Sequence, residues 1–387
     1  MKRNLFTLFL SLFCLLCVAQ NFQFKSKAWF LPDELETDTV VSLIFAGDIM
    51  GHSPQFKAAY NTQTKEYDYN ICFKNVKSYI TNVDFAVANL EVPIAGEPFS
   101  GYPNFSSPDA LLDALKNAGY DVLLTANNHV ADRGAQGIKR TIEQVQKRGF
   151  KYAGSYLNAA QKDTIYPLIL TKNNFKIALL NYTYSTNGNP VNKPLLVNMI
   201  DTAQIISDIQ KAETIADFTV VCIHWGEEYK TQANAAQRKL AAKMVKNGAD
   251  LIIGGHPHVV QNAEYLINTN NVKVPVFYSV GNSISNQRDV NTDGGIMVSV
   301  KINTKSKRII ETSYLPVYVH KGTLDGVFQY HLIATPDFIS TPEQFKIPAT
   351  DSTSLMIFDK NTQNRLKGFD VLRQKNTMIE YSIFGKI

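Results

Sequence analysis

The chain has 387 residues, 45% of them hydrophobic and 19% charged, with a formal net charge of +5. This balance excludes a disordered, collagen-like or repeat-array chain and accommodates one large domain or two modest ones. The lysines and arginines are dispersed, and no basic block carries interleaved aromatics, so nucleic-acid binding is disfavoured while an acidic substrate is compatible.

Met1-Lys2-Arg3-Asn4 is followed by an almost wholly apolar run from Leu5 to Ala19. A basic start, a short apolar core and a small-residue exit at Cys17-Val18-Ala19 predict a secretory signal peptide over residues 1–19. The run is shorter than the roughly 20 residues a spanning helix needs. Export to the periplasm or cell envelope is expected, with a lipid anchor at Cys17 as the alternative. Removing Lys2 and Arg3 leaves 5 − 2 = +3. Cys72 and Cys222 then remain, too few for a disulfide framework. Residues 20–39 read as a linker or arm.

Val40–Ala46 is a continuous apolar run of strand length, as in strands covered on both faces, and it ends in Gly47-Asp48. A helix is predicted over Ile71–Thr81, and a second strand, Asp84–Ala88, runs into Asn89-Leu90-Glu91. Ser107 as N-cap, Pro108 at the first position and Gly119 at the end frame another helix. Asp121–Ala126 is a third strand, opening into Asn127-Asn128-His129, and Ala135–Arg148 is a helix. The alternation continues with a strand at Phe175–Leu180 ending in Asn181, a helix at Asp201–Ala212, and a strand at Asp217–Ile223 ending in His224. A helix at Ala233–Lys246 and a strand at Leu251–Ile253 follow, the latter ending in Gly254-Gly255-His256-Pro257-His258. Val274–Val280 is a strand ending in Gly281-Asn282, and Gly294–Ile302 with Arg308–Val319 forms a hairpin. Strand–helix alternation over most of the chain predicts an α/β fold with parallel strands in at least one sheet and a second sheet beside it. Residues 40–319 are expected to form the main domain. Residues 320–387, with a helix near Ser352–Leu366, form a C-terminal extension packed on it.

Asp48, Glu91, Asn128, His129, His224, His256 and His258 all fall just beyond predicted strand ends, the edge where parallel α/β sheets place their sites. In extended chain His256 and His258 would face one point, and the two preceding glycines permit close backbone approach. The set suits a two-metal centre in which carboxylates, an amide oxygen and imidazoles hold divalent ions (Mn, Zn or Fe). The bland alternative is a group of polar side chains that satisfy loop backbones. Asn282 and Arg133 are weaker candidates for substrate contact, and Asn89 and Asn127 for contact with substrate or with the ligand side chains, turn formation being as common a role for asparagine there. Tyr182 and Tyr184 could line the pocket, although packing is the commoner role for aromatics at such positions.

Gly47-Asp48-Ile49-Met50, Ala88-Asn89-Leu90-Glu91, Ala126-Asn127-Asn128-His129, Ile223-His224-Trp225-Gly226-Glu227-Glu228 and Gly254-Gly255-His256-Pro257-His258 occur in the order seen in CapA proteins. Those proteins are named for poly-γ-glutamate capsule synthesis and belong to the calcineurin-like metallophosphoesterase superfamily. The resemblance covers about Val40 to Tyr318 and implies a layered α/β/β/α sandwich with mixed sheets and helices on the outer faces. It implies Asp48 and His258 at a first metal, Glu91 as the bridging carboxylate, and Asn128, His224 and His256 at a second metal. His129 would stabilise the transition state or protonate the leaving group. The superfamily pattern has Asp-x-His where this chain has Met50, a poor ligand for a hard ion. One ion firmly bound and a weaker second are therefore expected, with His52 as an alternative ligand. The implied function is a metal-dependent hydrolase, of phosphoester or amide class, that acts on or handles an anionic polymer such as poly-γ-glutamate beside membrane-bound capsule-synthesis components. The alternative is a non-catalytic factor that handles or anchors the polymer during export.

Overall fold

The computed structural model describes residues 39–373. The expected signal peptide over 1–19, the Cys17 anchor, most of the 20–39 linker and residues 374–387 lie outside the described residues.

In the first half, β1 (Val40–Ile49), β2 (Phe85–Leu90), β3 (Val122–Leu124) and β4 (Lys151–Ala153) pair in parallel. The helices α1 (Ser53–Ala59), α2 (Ala110–Ala118) and α3 (Gly134–Lys147) lie between them in the chain. In the second half, β5 (Leu168–Lys172) and β6 (Phe175–Thr183) form a hairpin. They are followed by α4 (Thr202–Ile215), β7 (Phe218–His224), α5 (Ala235–Lys246), β8 (Leu251–Gly255), β9 (Ala263–Ile267) and β10 (Lys273–Phe277). The order in the six-stranded sheet is β9-β10-β8-β7-β6-β5, parallel across its centre and antiparallel at both edges.

The chain then returns to the first sheet through β11 (Asn282–Ile284), β12 (Gly294–Asn303), β13 (Arg308–Leu324) and β14 (Val327–Ala334). That sheet reads β14-β13-β12-β1-β2-β3-β4, with β11 parallel to β1. Both sheets are mixed.

The layering follows from strand alternation. In β1, Val41, Leu43 and Phe45 join a core shared with Val220 and Cys222 of β7, so this apolar layer lies between the sheets. Ile44 and Ala46 face the other way, toward Leu111, Leu115, Ile138 and Ile142 of α2 and α3. Val221 and Ile223 of β7 pack on Ile205, Ile209, Met244 and Val245 of α4 and α5. The result is helix, sheet, sheet, helix, as expected.

Three local readings differ from the sequence-based ones. The 71–81 helix is a 3-10 segment, Asn70–Val76, that turns into a short α-helix, Lys77–Thr81. Ser107 caps nothing; its buried hydroxyl has no hydrogen-bond partner, and a Cβ at Gly51 would lie 1.9 Å from it. The boundary placed at residue 320 falls inside β13, which pairs with β14 from Val317 to Leu324. Two further helices follow, Thr335–Ser340 and α6 (Ala349–Arg365). Leu355 and Phe358 of α6 belong to the inter-sheet core itself, so this segment completes the sandwich.

Candidate metal centre

The C-terminal ends of β1, β2, β3, β7 and β8 deliver Asp48, Glu91, Asn128, His129, His224, His256 and His258 to one place, and none of the seven is more than 4% exposed. Two triads form within it. Donor atoms of Glu91, His224 and His256 lie within 4.8 Å of one another, as do those of Asp48, Glu91 and His258. Glu91 belongs to both.

The tip carrying the last two histidines is not extended. His256 and His258 have φ of +97° and +56°, left-handed values that cost a non-glycine residue roughly 1–3 kcal/mol each. The rings converge, with centroids 6.1 Å apart, because two left-handed residues flank Pro257. Shared strand parity does not bring them together. Gly255 has to be glycine here, since a Cβ would sit 2.9 Å from Asp48 Oδ1.

Hydrogen bonds orient the donors. Asn89 Nδ2 donates to Asp48 Oδ1 at 2.8 Å and lies 3.3 Å from His224 Nδ1. His224 Nε2 donates to Asn128 Oδ1 at 2.8 Å, which brings Asn128 to the second triad. His258 Nδ1 donates to Asn282 Oδ1 at 3.0 Å and lies 3.6 Å from Asp48 Oδ2. Glu91 differs from the others: both its oxygens are buried without a hydrogen-bond partner, although His224 Nε2 is 3.3 Å from Oε1. His256 Nδ1 is likewise buried and unpartnered. Orphaned buried polar atoms are costly. An oxygen and nitrogen donor set with no thiolate suits a divalent ion of the manganese, iron or zinc kind, so these residues fit such a group. Beneath them, a cavity of about 20 Å³ bordered by Asp48, Asn89, His224 and Asn181 has room for one water.

The charge balance has the same focus. Burial opposes ionisation of Asp48, but its bond to His258 and the nearby His224 and His258 charges hold it well below the usual carboxylate range. Burial, followed by the Asp48 charge, raises Glu91 well above that range. Burial lowers His224 to about 3 and His256 to about 2. For His258 burial also pulls down, yet Glu91 and Asp48 outweigh it and raise the imidazole to about 9. Near neutral pH the proton on His258 stands where a cation would, so a cation must displace it. The expected result is an apparent affinity of the first triad for Mn²⁺ that tightens as pH rises from 7 to 9 and levels off above. The gain is about tenfold per pH unit for each proton displaced. Chelator competition across that range checks it, and an affinity independent of pH contradicts it.

His129 belongs to neither triad. Its Nδ1 donates to Asp132 Oδ2 at 2.8 Å, and its ring meets Phe105 edge-on at 4.7 Å. Asp132 Oδ2 also accepts from the Phe105 backbone N–H at 2.9 Å. This carboxylate went unrecognised in the sequence; its i,i+3 spacing from His129 was the available signal. Asn181, read only as a strand end, is a strut between the sheets: its Oδ1 accepts from Ala126 N–H and its Nδ2 donates to Cys222 O.

Met50 packs into the core under the helices, and its carbonyl accepts from Gln55 Nε2. His52, the alternative ligand, is held away as the N-cap of α1, with Nδ1 3.1 Å from Gln55 Oε1. The first triad therefore has three protein donors and gains nothing from either residue. The four candidates for substrate contact all hold hydrogen bonds within the protein. Asn89 orients Asp48, and Asn127 Nδ2 donates to Leu90 O. Asn282 Nδ2 donates to His258 O, Gln287 Oε1 and Thr292 O. Arg133 Nη1 donates to Pro98 O and Ser100 Oγ.

The family model described as bacterial capsule synthesis protein PGA_cap matches residues 42–287. A capsule biosynthesis protein CapA of Bacillus anthracis is 30% identical over 303 residues, 73% of this chain and 68% of the relative. A PGA biosynthesis protein CapA of Bacillus subtilis (strain 168) is 29% identical over 315 residues, 78% of each. Among solved structures, a phosphatase of Mycoplasma pneumoniae superposes with TM-score 0.43 and 16% identity, covering 72% of this chain and 94% of the other. A 5'-nucleotidase precursor of Thermus thermophilus gives TM-score 0.47 and 12% identity, covering 84% and 59%.

Proposed function

This chain belongs to the bacterial capsule synthesis protein family PGA_cap, and from that premise we propose that it is an exported hydrolase that cleaves a phosphoester during capsule assembly with two divalent ions. Glu91 carries the reading: a fully buried carboxylate with no hydrogen-bond partner, shared between two triads, is a costly arrangement that a pair of cations relieves. Asp48, Glu91 and His258 would hold the first ion, and Glu91, Asn128, His224 and His256 the second. Bound there, such ions supply Lewis acidity to a phosphoryl oxygen and lower the pKa of water. Asp132 accepts the Nδ1 proton of His129 and leaves Nε2 as the atom that exchanges protons with substrate. In the net reaction a water oxygen bonds to phosphorus, the phosphorus–oxygen ester bond breaks, the departing oxygen takes a proton from His129, and a proton from the attacking water restores His129. The anionic product accords with the family's link to capsule polymer, and residues 1–19 support export to the envelope.

A second reading, handling or anchoring of an anionic polymer without turnover, is favoured by one observation. Met50 and His52 leave the first triad with three protein donors, so a single firmly held ion would suffice for it. Purified protein loaded with Mn²⁺ or Zn²⁺ and offered aryl phosphates, phosphodiesters and γ-glutamyl polymer separates the two. Turnover with two ions per chain supports the hydrolase. Two tightly bound ions and no turnover on any of these substrates would sink it.

A further inference from the structure

The geometry points to Tyr184 as a specificity-determining residue: its ring walls the second triad and selects phosphoesters that carry a ring, aryl or sugar, next to the reacting group. This rests on the hydrolase reading above and names the substrate class for the same site.

Tyr184 directly follows the last residue of β6, and its backbone N–H donates to His224 O at 3.0 Å. Its ring centroid lies 4.4 Å from that of His256 and 6.4 Å from that of His224. One face therefore rests on the two imidazoles of the second triad, while the side chain stays 42% exposed. Among the described residues its hydroxyl has no hydrogen-bond partner. Tyr182, two residues earlier, shows what a packing tyrosine looks like in this strand. It is 1% exposed, and its hydroxyl bonds to Tyr166 and Asp208. Burial accounts for Tyr182 and leaves Tyr184 unexplained.

The pattern recurs around the mouth. Tyr229, 53% exposed, lies 6.3 Å from the His258 ring. Tyr102, 77% exposed, lies 6.4 Å from Phe105, the ring that packs on His129. Each triad is thus bordered by a tyrosine that keeps surface open to solvent, and Tyr102 flanks the Phe105 ring beside His129. The arginines beside the centre are spent, Arg133 on Pro98 O and Ser100 Oγ, and Arg288 on the carbonyls of Gln287 and Val319. A substrate with a carboxylate on every unit calls for free cations along the mouth. This mouth offers aromatic faces, which attract rings and the C–H faces of sugars. One anionic group at the metals and a ring against Tyr184 is the ligand that matches both features.

The test uses the Mn²⁺-loaded protein and diesters that share a p-nitrophenolate leaving group and differ in the second ester, phenyl, hexosyl or ethyl, so that leaving-group chemistry is constant. The expected result is a KM about tenfold lower for a ring-bearing diester than for the ethyl one at similar kcat. In Tyr184→Ala that KM ratio falls to about one with the metal content kept, and Tyr184→Phe restores it. Preference for phenyl alone or hexosyl alone supports the wall and names its ring. A ratio near one in the wild type, or a preference that survives in Tyr184→Ala, overturns the inference. Calorimetric binding of phenylphosphonate and ethylphosphonate separates it from the hydrolase reading. Tighter phenyl binding that is lost in Tyr184→Ala supports the wall even if no diester turns over, and equal affinities overturn it.

Discussion

Glu91→Gln is expected to have opposite effects on the loaded and the metal-free protein. At neutral pH the metal-free protein gains stability from the change. Burial and then the Asp48 charge raise the pKa of Glu91 in the fold well above its unfolded value. For an acid raised in this way the folded state binds more protons, so stability falls as pH rises above the unfolded value near 4.5. A neutral amide takes up no proton on folding and so removes that dependence. With metal the sign reverses. Each cation at about 100 times its Kd stabilises the wild type by about 2.7 kcal/mol, and the variant loses this for both ions because both triads share Glu91. Thermal unfolding with excess Mn²⁺ and with chelator checks both signs. A variant that keeps two ions, or whose chelated form is less stable than the wild type, contradicts the shared-carboxylate assignment.

His129→Ala is expected to lower kcat by about 10²–10⁴, the usual contribution of a positioned proton donor, with metal content unchanged because His129 lies outside both triads. Asp132→Asn is the informative companion. The carboxylate accepts from His129 Nδ1 and from Phe105 N–H, so it fixes both the tautomer and the ring orientation. An amide in its place permits the wrong tautomer, and kcat falls by roughly one to two orders of magnitude while KM stays near the wild-type value. The alkaline limb of the pH–rate profile should move as well, which a purely structural role would not cause. Loss of metal in either variant, or a shared change in KM alone, removes His129 from the chemistry.

Much of the site was legible in the residue string, for a physical reason. Parallel strands buried on both faces are written as apolar runs, so polar residues at their ends stand out, and in parallel sheets those ends share an edge. Asp48, Glu91, Asn128, His224, His256 and His258 follow that rule; Asp48, Glu91 and His258 meet in one triad, and Glu91, His224 and His256 in the other. The wrong readings were local inferences that tertiary contacts overrode. His256 and His258 converge through left-handed backbone, a conformation that strand parity does not anticipate. Ser107 has the sequence of an N-cap but lies buried beside Gly51. The partners of Asn89, Asn127, Asn282 and Arg133, namely Asp48, Leu90 O, Thr292 O and Pro98 O, come from other segments and are not legible in sequence.

Alternation of apolar strands and helices, set by side-chain periodicity, determined the α/β class, the helix-bearing faces and the edge that carries the chemistry. Covalent sequence also determined that position 50 is a thioether and cannot complete the first site. Tertiary structure alone decided that Glu91 stands between two triads with both oxygens unpartnered, that His52 is tied to Gln55, that Asp132 backs His129, and that β13 runs unbroken past residue 320. It also set Tyr184 apart from Tyr182: both follow Asn181 within three residues, and only the packing around each makes the first a wall and the second a core residue. These features depend on contacts between segments as far apart in sequence as Asp48 and His256 or His258. Periodicity reports which face a residue takes in its own element, whereas partners at such separations are chosen by the packing of the whole sandwich.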